Sequence, residues 1–247
     1  MRIAHIVPVG NLDIYSYMSR RPKFYMLLTH LFLDSAEYAD WASHLKEREP
    51  DCFIILDNSV IELGISMSFE TIIDVARAVK ADEVILPDVF QDADSTYMMA
   101  KDALNWYRNN KDANDTFKFQ YVCHGRSYAA VAASIETGMH MPEVATLGIP
   151  KIYTENFPGG RAVFESLWEH TNKEIHLLGC SRSFTELSNF HNLGRIRSMD
   201  TCLAAYNVLL GFDIYNVRSV GTVDLKNDKI RKEDYGCFCA MTEALGY

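Results

Sequence analysis

The sequence predicts an α/β protein, a (β/α)8 TIM barrel formed as a single domain over residues 1–247. Eight short apolar runs recur along the chain, most followed by a segment with helical spacing, and that alternation gives a parallel sheet with helices outside it. Each run stops at a small, acidic or imidazole-bearing residue, and in such folds the strand ends carry the chemistry. The length of 247 residues is about the usual size of an eight-stranded barrel, and 48% hydrophobic content is ample for one core. A doubly wound open sheet is the alternative, but no Gly-x-Gly-x-x-Gly turn supports it.

Ile3 to Val7 alternates and ends at Pro8 and Gly10, giving strand one, and Phe24 to Thr29 gives strand two. A helix follows, with Ser35 as N-cap and Tyr38, Trp41, Ala42 and Leu45 on one face. Cys52 to Leu56 is wholly apolar, as in a strand buried on both faces, and ends at Asp57. Ser68-x-x-Thr71 opens the next helix, with Ile72, Val75, Ala76 and Val79 inward; Glu83 to Leu86 is strand four, ending at Pro87-Asp88. Asp94 to Asn109 reads as helix, and Phe117 to Cys123 as strand five, ending at His124-Gly125. An Ala-rich helix from Ser127 to Glu136 is expected to stop at Gly138, before strand six at Val144 to Leu147 and the turn Gly148-Ile149-Pro150. Gly160 to Thr171 is expected as a helix with Val163, Leu167 and Trp168 inward. Ile175 to Leu178 and Ile196 to Met199 are strands seven and eight, ending at Gly179 and Asp200. Between them Phe184, Leu187 and Phe190 fall at helical spacing.

Composition narrows the function. No apolar run reaches the roughly 18 to 20 residues of a membrane span, since Thr29 and His30 interrupt Phe24 to Leu33. The N-terminus reads as a strand rather than a signal peptide, and the six cysteines are scattered, so a reducing, cytoplasmic setting is expected. A net charge of −9 argues against nucleic-acid binding through overall charge but leaves room for local patches. Three such clusters are Arg20, Arg21 and Lys23; Arg195 and Arg197; and Lys226, Lys229, Arg231 and Lys232, each more readily read as a solvated charged face.

In a barrel the strand ends converge on one mouth, bringing together Asp57-Asn58, Asp88, His124-Gly125, Gly148-Ile149-Pro150, Gly179 and Asp200. Clustered carboxylates raise one another's pKa and suit a nucleophile working beside a proton acceptor, while glycines let backbone approach a flat ligand. Taken singly, each residue has a plainer reading. Asp200, Asp57 and Asp88 could cap helices, and His124 could be a hydrogen-bonded loop residue.

The order of these motifs resembles the tRNA-guanine transglycosylase superfamily. His176-Leu177-Leu178-Gly179, a helix, then Ser198-Met199-Asp200 resembles the family's Tyr-Leu-Met-Gly, helix, Met-Phe-Asp-Cys. Asp57-Asn58-Ser59-Val60-Ile61 resembles its Asp-Ser-Gly-Gly-aromatic motif, and Asp88 falls where the family has a base-reading aspartate. Cys123-His124-Gly125 is similar to its Val-Gln-Gly turn, and Leu147-Gly148-Ile149 to its Ile-Gly-Gly turn. The resemblance runs from Asp57 to Asp200 and leaves the last forty-odd residues uncovered. Two departures stand out. The family's Cys-x-Cys-x-x-Cys…His zinc site is reduced to Cys237-x-Cys239, with Cys202 as a conceivable third ligand, and the arginine-bearing segment after the nucleophile is replaced by Cys202-Leu203-Ala204-Ala205. Both look like the compact phage-encoded branch, the DNA 7-deazaguanine transglycosylases, which modify phage DNA and evade restriction in the host cytoplasm.

The resemblance implies a nucleophile at Asp200 and a proton acceptor at Asp57. It implies a base-binding site of Asp88, His124, Gly148, Ile149, Asn58, Ile61, Leu178 and Gly179. DNA and a free 7-deazaguanine base would be the partners, phosphates would be met by Arg182, Arg195 and Arg197, and no cofactor or metal is required. Three alternatives stay open: the same chemistry on tRNA, a barrel hydrolase or lyase acting on a nucleoside or sugar, and a base-binding subunit without turnover.

Overall fold

The computed structural model describes residues 1–19, 23–179, 196–212 and 223–245. Eight parallel strands form a nearly closed barrel: β1 Arg2–His5, β2 Phe24–Leu28, β3 Phe53–Asp57, β4 Glu83–Ile85, β5 Lys118–Val122, β6 Val144–Pro150, β7 Glu174–Leu178 and β8 Ile196–Thr201. Hydrogen-bonded neighbours run β1-β8-β7-β6-β5-β4-β3-β2, and β1 packs against β2 to complete the ring. Because every ladder is parallel, all strand C-termini open on one mouth.

Around the ring lie α1 Thr29–Asp34, α2 Ala36–Ser43 and α3 Leu45–Arg48 after β2, α4 Val60–Leu63 and α5 Phe69–Val79 after β3, α6 Ala93–Asn110 after β4, and α7 Tyr128–His140 after β5. They continue with α8 Ile152–Asn156 and α9 Glu165–Trp168 after β6, and with α10 Leu203–Leu209 and α11 Tyr235–Leu245 after β8. The starts of α2, α5, α6 and α7 are set by local chemistry, since the side chains of Ser35, Ser68, Asp92 and Ser127 each accept a first-turn backbone N–H. Strand periodicity then sorts the side chains. Ala4, Met26, Ile55, Ile85 and Val122 fill the barrel interior, while alternate residues such as Ile54, Leu56, Val84 and Tyr121 pack against the helices.

Three elements depart from the sequence reading. Gly138 lies inside α7 rather than ending it, and a Cβ there would come within 2.7 Å of Leu147 Cδ2 and Tyr121 Cδ1, so glycine lets this helix approach β5 and β6. Gly160 to Thr171 is not one helix but a 3-10 turn at Gly160–Phe164 followed by the single turn of α9. Its Arg161 is buried and donates to the carbonyls of Ile149 at 2.9 Å, Leu178 at 3.1 Å and Gly179 at 2.8 Å, tying the ends of β6 and β7 together. Strand β6 continues to Pro150, so Gly148-Ile149 is strand and not a turn. The helix expected between Ser183 and Leu193 lies outside the described residues.

The far end of the barrel is closed by charge. Between Ile175–Ile196 and His176–Ser198 the register slips, leaving Arg197 as the extra residue of a β-bulge, a device that re-aims a side chain. Its guanidinium meets both carboxylate oxygens of Glu83 at 2.6 and 2.8 Å and Glu174 at 2.9 Å, over the faces of Phe24 and Phe53. Glu83 is 0% exposed and also accepts from Thr146 Oγ1 at 2.7 Å. The expectation that Arg197 meets phosphate is therefore corrected, because its charge is spent inside the barrel at the end away from the mouth. Among the described residues no helix is long and apolar enough to cross a membrane.

Candidate active site

The strand C-termini surround a cavity of about 330 Å³. Its walls are apolar, with Met26, Leu28, Ile85, Val122 and Leu178 prominent, and Asp57, Glu62, Asp88 and Asp200 line it as well. Val223 and Leu225 bring the C-terminal part of the chain to the same space, held there by a bond from Val9 N–H to the Leu225 carbonyl at 2.7 Å.

Asp200 is the penultimate residue of β8 and is 8% exposed. It caps no helix; Oδ1 accepts the Gly179 N–H at 2.8 Å and faces His176 Nε2 at 3.2 Å. Gly179 has φ +67°, a left-handed conformation that suits glycine and turns its amide toward the carboxylate. His176 Nδ1 lies 2.8 Å from Ser198 Oγ, which accepts Arg197 Nε–H at 3.0 Å. One assignment satisfies every group: Arg197 donates to Ser198, Ser198 to Nδ1, and Nε2–H to Asp200. Burial pushes the His176 pKa down, which keeps the ring neutral and fits that assignment.

Asp88 follows β4 and is 2% exposed. Asn58 Nδ2 donates to its Oδ1, and His124 Nε2 stands 2.5 Å from its Oδ2. The Gln91 backbone N–H donates to His124 Nδ1 at 3.2 Å, so Nε2 carries the ring hydrogen and donates to Asp88. Gln91 itself has φ +58°, and Ser59, beside Asp57, has φ +62°. These two border the cavity residues, a placement common at functional sites, while Lys80, at φ +53°, ends α5 instead. Each Asp88 oxygen retains a lone pair, so the carboxylate is oriented to accept from a ligand edge that offers two adjacent N–H donors.

Asp57 ends β3, and its Oδ2 accepts the Ser59 N–H at 2.7 Å, a local turn that fixes the carboxyl at the mouth. Burial pushes its pKa well above the ordinary carboxylate range, Glu62 adds repulsion, and Asp88 and Asp200 contribute less. Glu62 is itself raised by burial and by Asp200, against the opposing charge of Lys151. The site thus holds one carboxylate fixed by two donors and another whose pKa is raised by burial, the division of labour that acid–base chemistry needs.

Other expected residues fall in different places. Ile61 lines the cavity, is 66% exposed and stands at its rim, and Leu178 and Gly179 also line it. Asn58 lines the site but acts by clamping Asp88, with a second bond to the Leu86 carbonyl at 2.8 Å. Gly148 and Ile149 do not line the cavity. Ile149 packs toward the helices with its carbonyl taken by Arg161, and the Gly148 carbonyl accepts Cys123 N–H at 2.9 Å. Their place is filled by Pro150, the last residue of β6, and by Lys151 and Ile152 just after it. Arg182 and Arg195 lie outside the described residues. Sequence reasoning did not single out Glu62 or Phe90, and it gave His176 a place in a motif but no role. His176 was within reach, because strand alternation puts it on the same face as Leu178.

No metal-binding group of three or more His, Cys, Asp or Glu is found among the described residues. Cys237 and Cys239 sit two apart on α11, where the spacing turns them to different faces, and Cys237 Sγ donates to the Phe212 carbonyl at 3.6 Å. Burial raises the thiol pKa of Cys202 and Cys239. No protein-family model matches the chain, and a search of curated proteins finds no significant match.

Proposed function

We propose that this chain is a pentosyltransferase that exchanges guanine in DNA for a 7-deazaguanine base through a covalent glycosyl-aspartate at Asp200. The observation that carries the reading is the sharing of one apolar cavity by three carboxylates in different states. Asp200 is anchored through one oxygen, Asp57 has its pKa raised, and Asp88 is clamped with lone pairs to spare.

In the first half-reaction Asp200 Oδ2 attacks C1′ of the nucleotide, the C1′–N9 bond breaks, and its electron pair leaves with guanine. Asp57, held toward its protonated form, supplies a proton to the departing base. In the second, the incoming base attacks C1′ through N9, the C1′–Oδ2 bond breaks, and its electron pair returns to the Asp200 carboxylate. Asp57 takes the N9 proton. The logic is that of a retaining glycosidase with a base in place of water. Asp88 accepts from the two N–H groups on the guanine-like edge, and the apolar faces of Ile61 and Leu178, with the Phe90 ring beside His124, bracket the base. A base in a duplex must leave the stack to enter, at a cost of a few kcal/mol. Binding through local cations of an acidic protein should weaken with salt.

The test is base exchange. Duplex DNA and, separately, tRNA carrying radiolabelled guanine are incubated with protein and unlabelled 7-cyano-7-deazaguanine. Release from DNA that vanishes in Asp200→Ala is the expected result. Release from tRNA alone transfers the chemistry to that polymer, and hydrolysis of free nucleosides alone, or no release at all, overturns the proposal.

A further inference from the structure

We infer that His176 is a positioning residue for the second half-reaction, holding Asp200 Oδ1 so that the carboxylate can leave C1′. This deepens the transglycosylase reading and rests on it.

Asp200 Oδ1 meets two donors, Gly179 N–H at 2.8 Å and His176 Nε2–H at 3.2 Å, and among the described residues none meets Oδ2. The division leaves Oδ2 as the attacking atom and makes Oδ1 the carbonyl oxygen of the glycosyl ester. Donors on Oδ1 act unequally on the two steps. They stabilise the free carboxylate most, the half-charged transition states less, and the neutral ester least. Losing one therefore raises the carboxylate ground state of the first step at least as much as its transition state. The second step begins from the ester and must regenerate the charge, so it loses stabilisation without compensation.

The histidine is fixed for this role from below. It is 0% exposed, its Nδ1 is occupied by Ser198, and Ser198 is held by Arg197 Nε, whose guanidinium is locked on Glu83. The β8 bulge is what allows Arg197 and Ser198 to meet the interior together. A chain of bonds of one polarity thus runs from the closed end of the barrel to Asp200 and leaves the ring hydrogen on Nε2, as outer-shell partners do for other functional histidines.

The experiment follows both half-reactions by rapid quench on guanine-labelled DNA, with 7-cyano-7-deazaguanine as second substrate. Guanine release, denaturant-stable protein–DNA adduct and modified DNA are counted for wild type, His176→Phe, His176→Gln and Ser198→Ala. For His176→Phe, guanine release should stay within about tenfold of wild type while adduct resolution slows roughly 100-fold, so adduct accumulates. His176→Gln, which can still donate to Oδ1, should restore resolution. Ser198→Ala, which leaves the ring in place but releases its tautomer, should slow the same step about tenfold and carries the test if the phenylalanine variant does not fold. Wild-type exchange with adduct resolution unchanged in both His176→Phe and Ser198→Ala, or slowed equally with release, overturns the role of His176 and leaves the transglycosylase reading standing. No exchange by wild type on DNA or tRNA overturns the reading, and this role with it.

Discussion

The two ends of the barrel use nearly the same residue types for opposite ends. At the closed end, buried Glu83 takes both of its oxygens to the half-buried Arg197, and Phe24 and Phe53 stack beneath the guanidinium at 5.2 Å between ring centroids. At the open end four carboxylates line one cavity together with Lys151, whose charge acts on Glu62. Charge that is paired inside the protein contributes to a unique fold, whereas charge left for a ligand is held at some expense of stability and is available for chemistry. The difference teaches that an arginine in a strand cannot be assigned to phosphate binding by its type, because what decides its use is which end of the strand it occupies.

The largest effect should come from Asp200→Ala, which removes the proposed nucleophile and should lower exchange by about 10⁴-fold or more, measured as label release, with the fold retained. Asp57→Asn should lower exchange by about 10²–10⁴-fold, the range of general acid–base catalysis. It also carries a signed stability prediction. The folded pKa of Asp57 is raised, so the wild type loses stability as pH rises from the unfolded carboxylate value through the folded one. The advantage of Asp57→Asn in thermal unfolding should therefore be greater at pH 8 than at pH 4, and an advantage independent of pH would contradict the desolvation argument.

At the closed end, Arg197→Met should destabilise by about 3–5 kcal/mol in denaturant unfolding, because it leaves Glu83 buried without its partner. The same variant should leave the salt dependence of DNA binding unchanged, whereas a phosphate contact would reduce the slope by about one unit. Phe90→Ala, at the rim and 42% exposed, should weaken base binding by about 1–3 kcal/mol, read as a rise in KM, with little change in unfolding.

The barrel was legible because strand runs and helix faces repeat along the chain, and local N-caps such as Ser35, Ser68 and Ser127 mark their boundaries. Asp57, Asp88, His124 and Asp200 were legible as strand-end residues once the fold was in hand. What sequence could not show was side-chain direction at irregularities. Arg197 turns inward only because a bulge adds a residue to β8, and Gly148-Ile149 stays in the ladder because Arg161, twelve residues beyond Ile149, ties off the strand ends. Gly138 read as a helix stop because its need for close packing depends on Leu147 and Tyr121, which only the tertiary structure brings there.

The central claim is that Asp200 becomes covalently attached to the nucleotide. Its most direct test is to quench the reaction of protein with guanine-containing duplex DNA in the absence of a second base, digest both components, and locate the adduct by mass spectrometry. The expected result is a deoxyribose-linked nucleotide on the peptide containing Asp200, absent in Asp200→Ala and discharged on adding 7-cyano-7-deazaguanine. Exchange that proceeds with no adduct on this peptide, or with the adduct on Asp57, would contradict it.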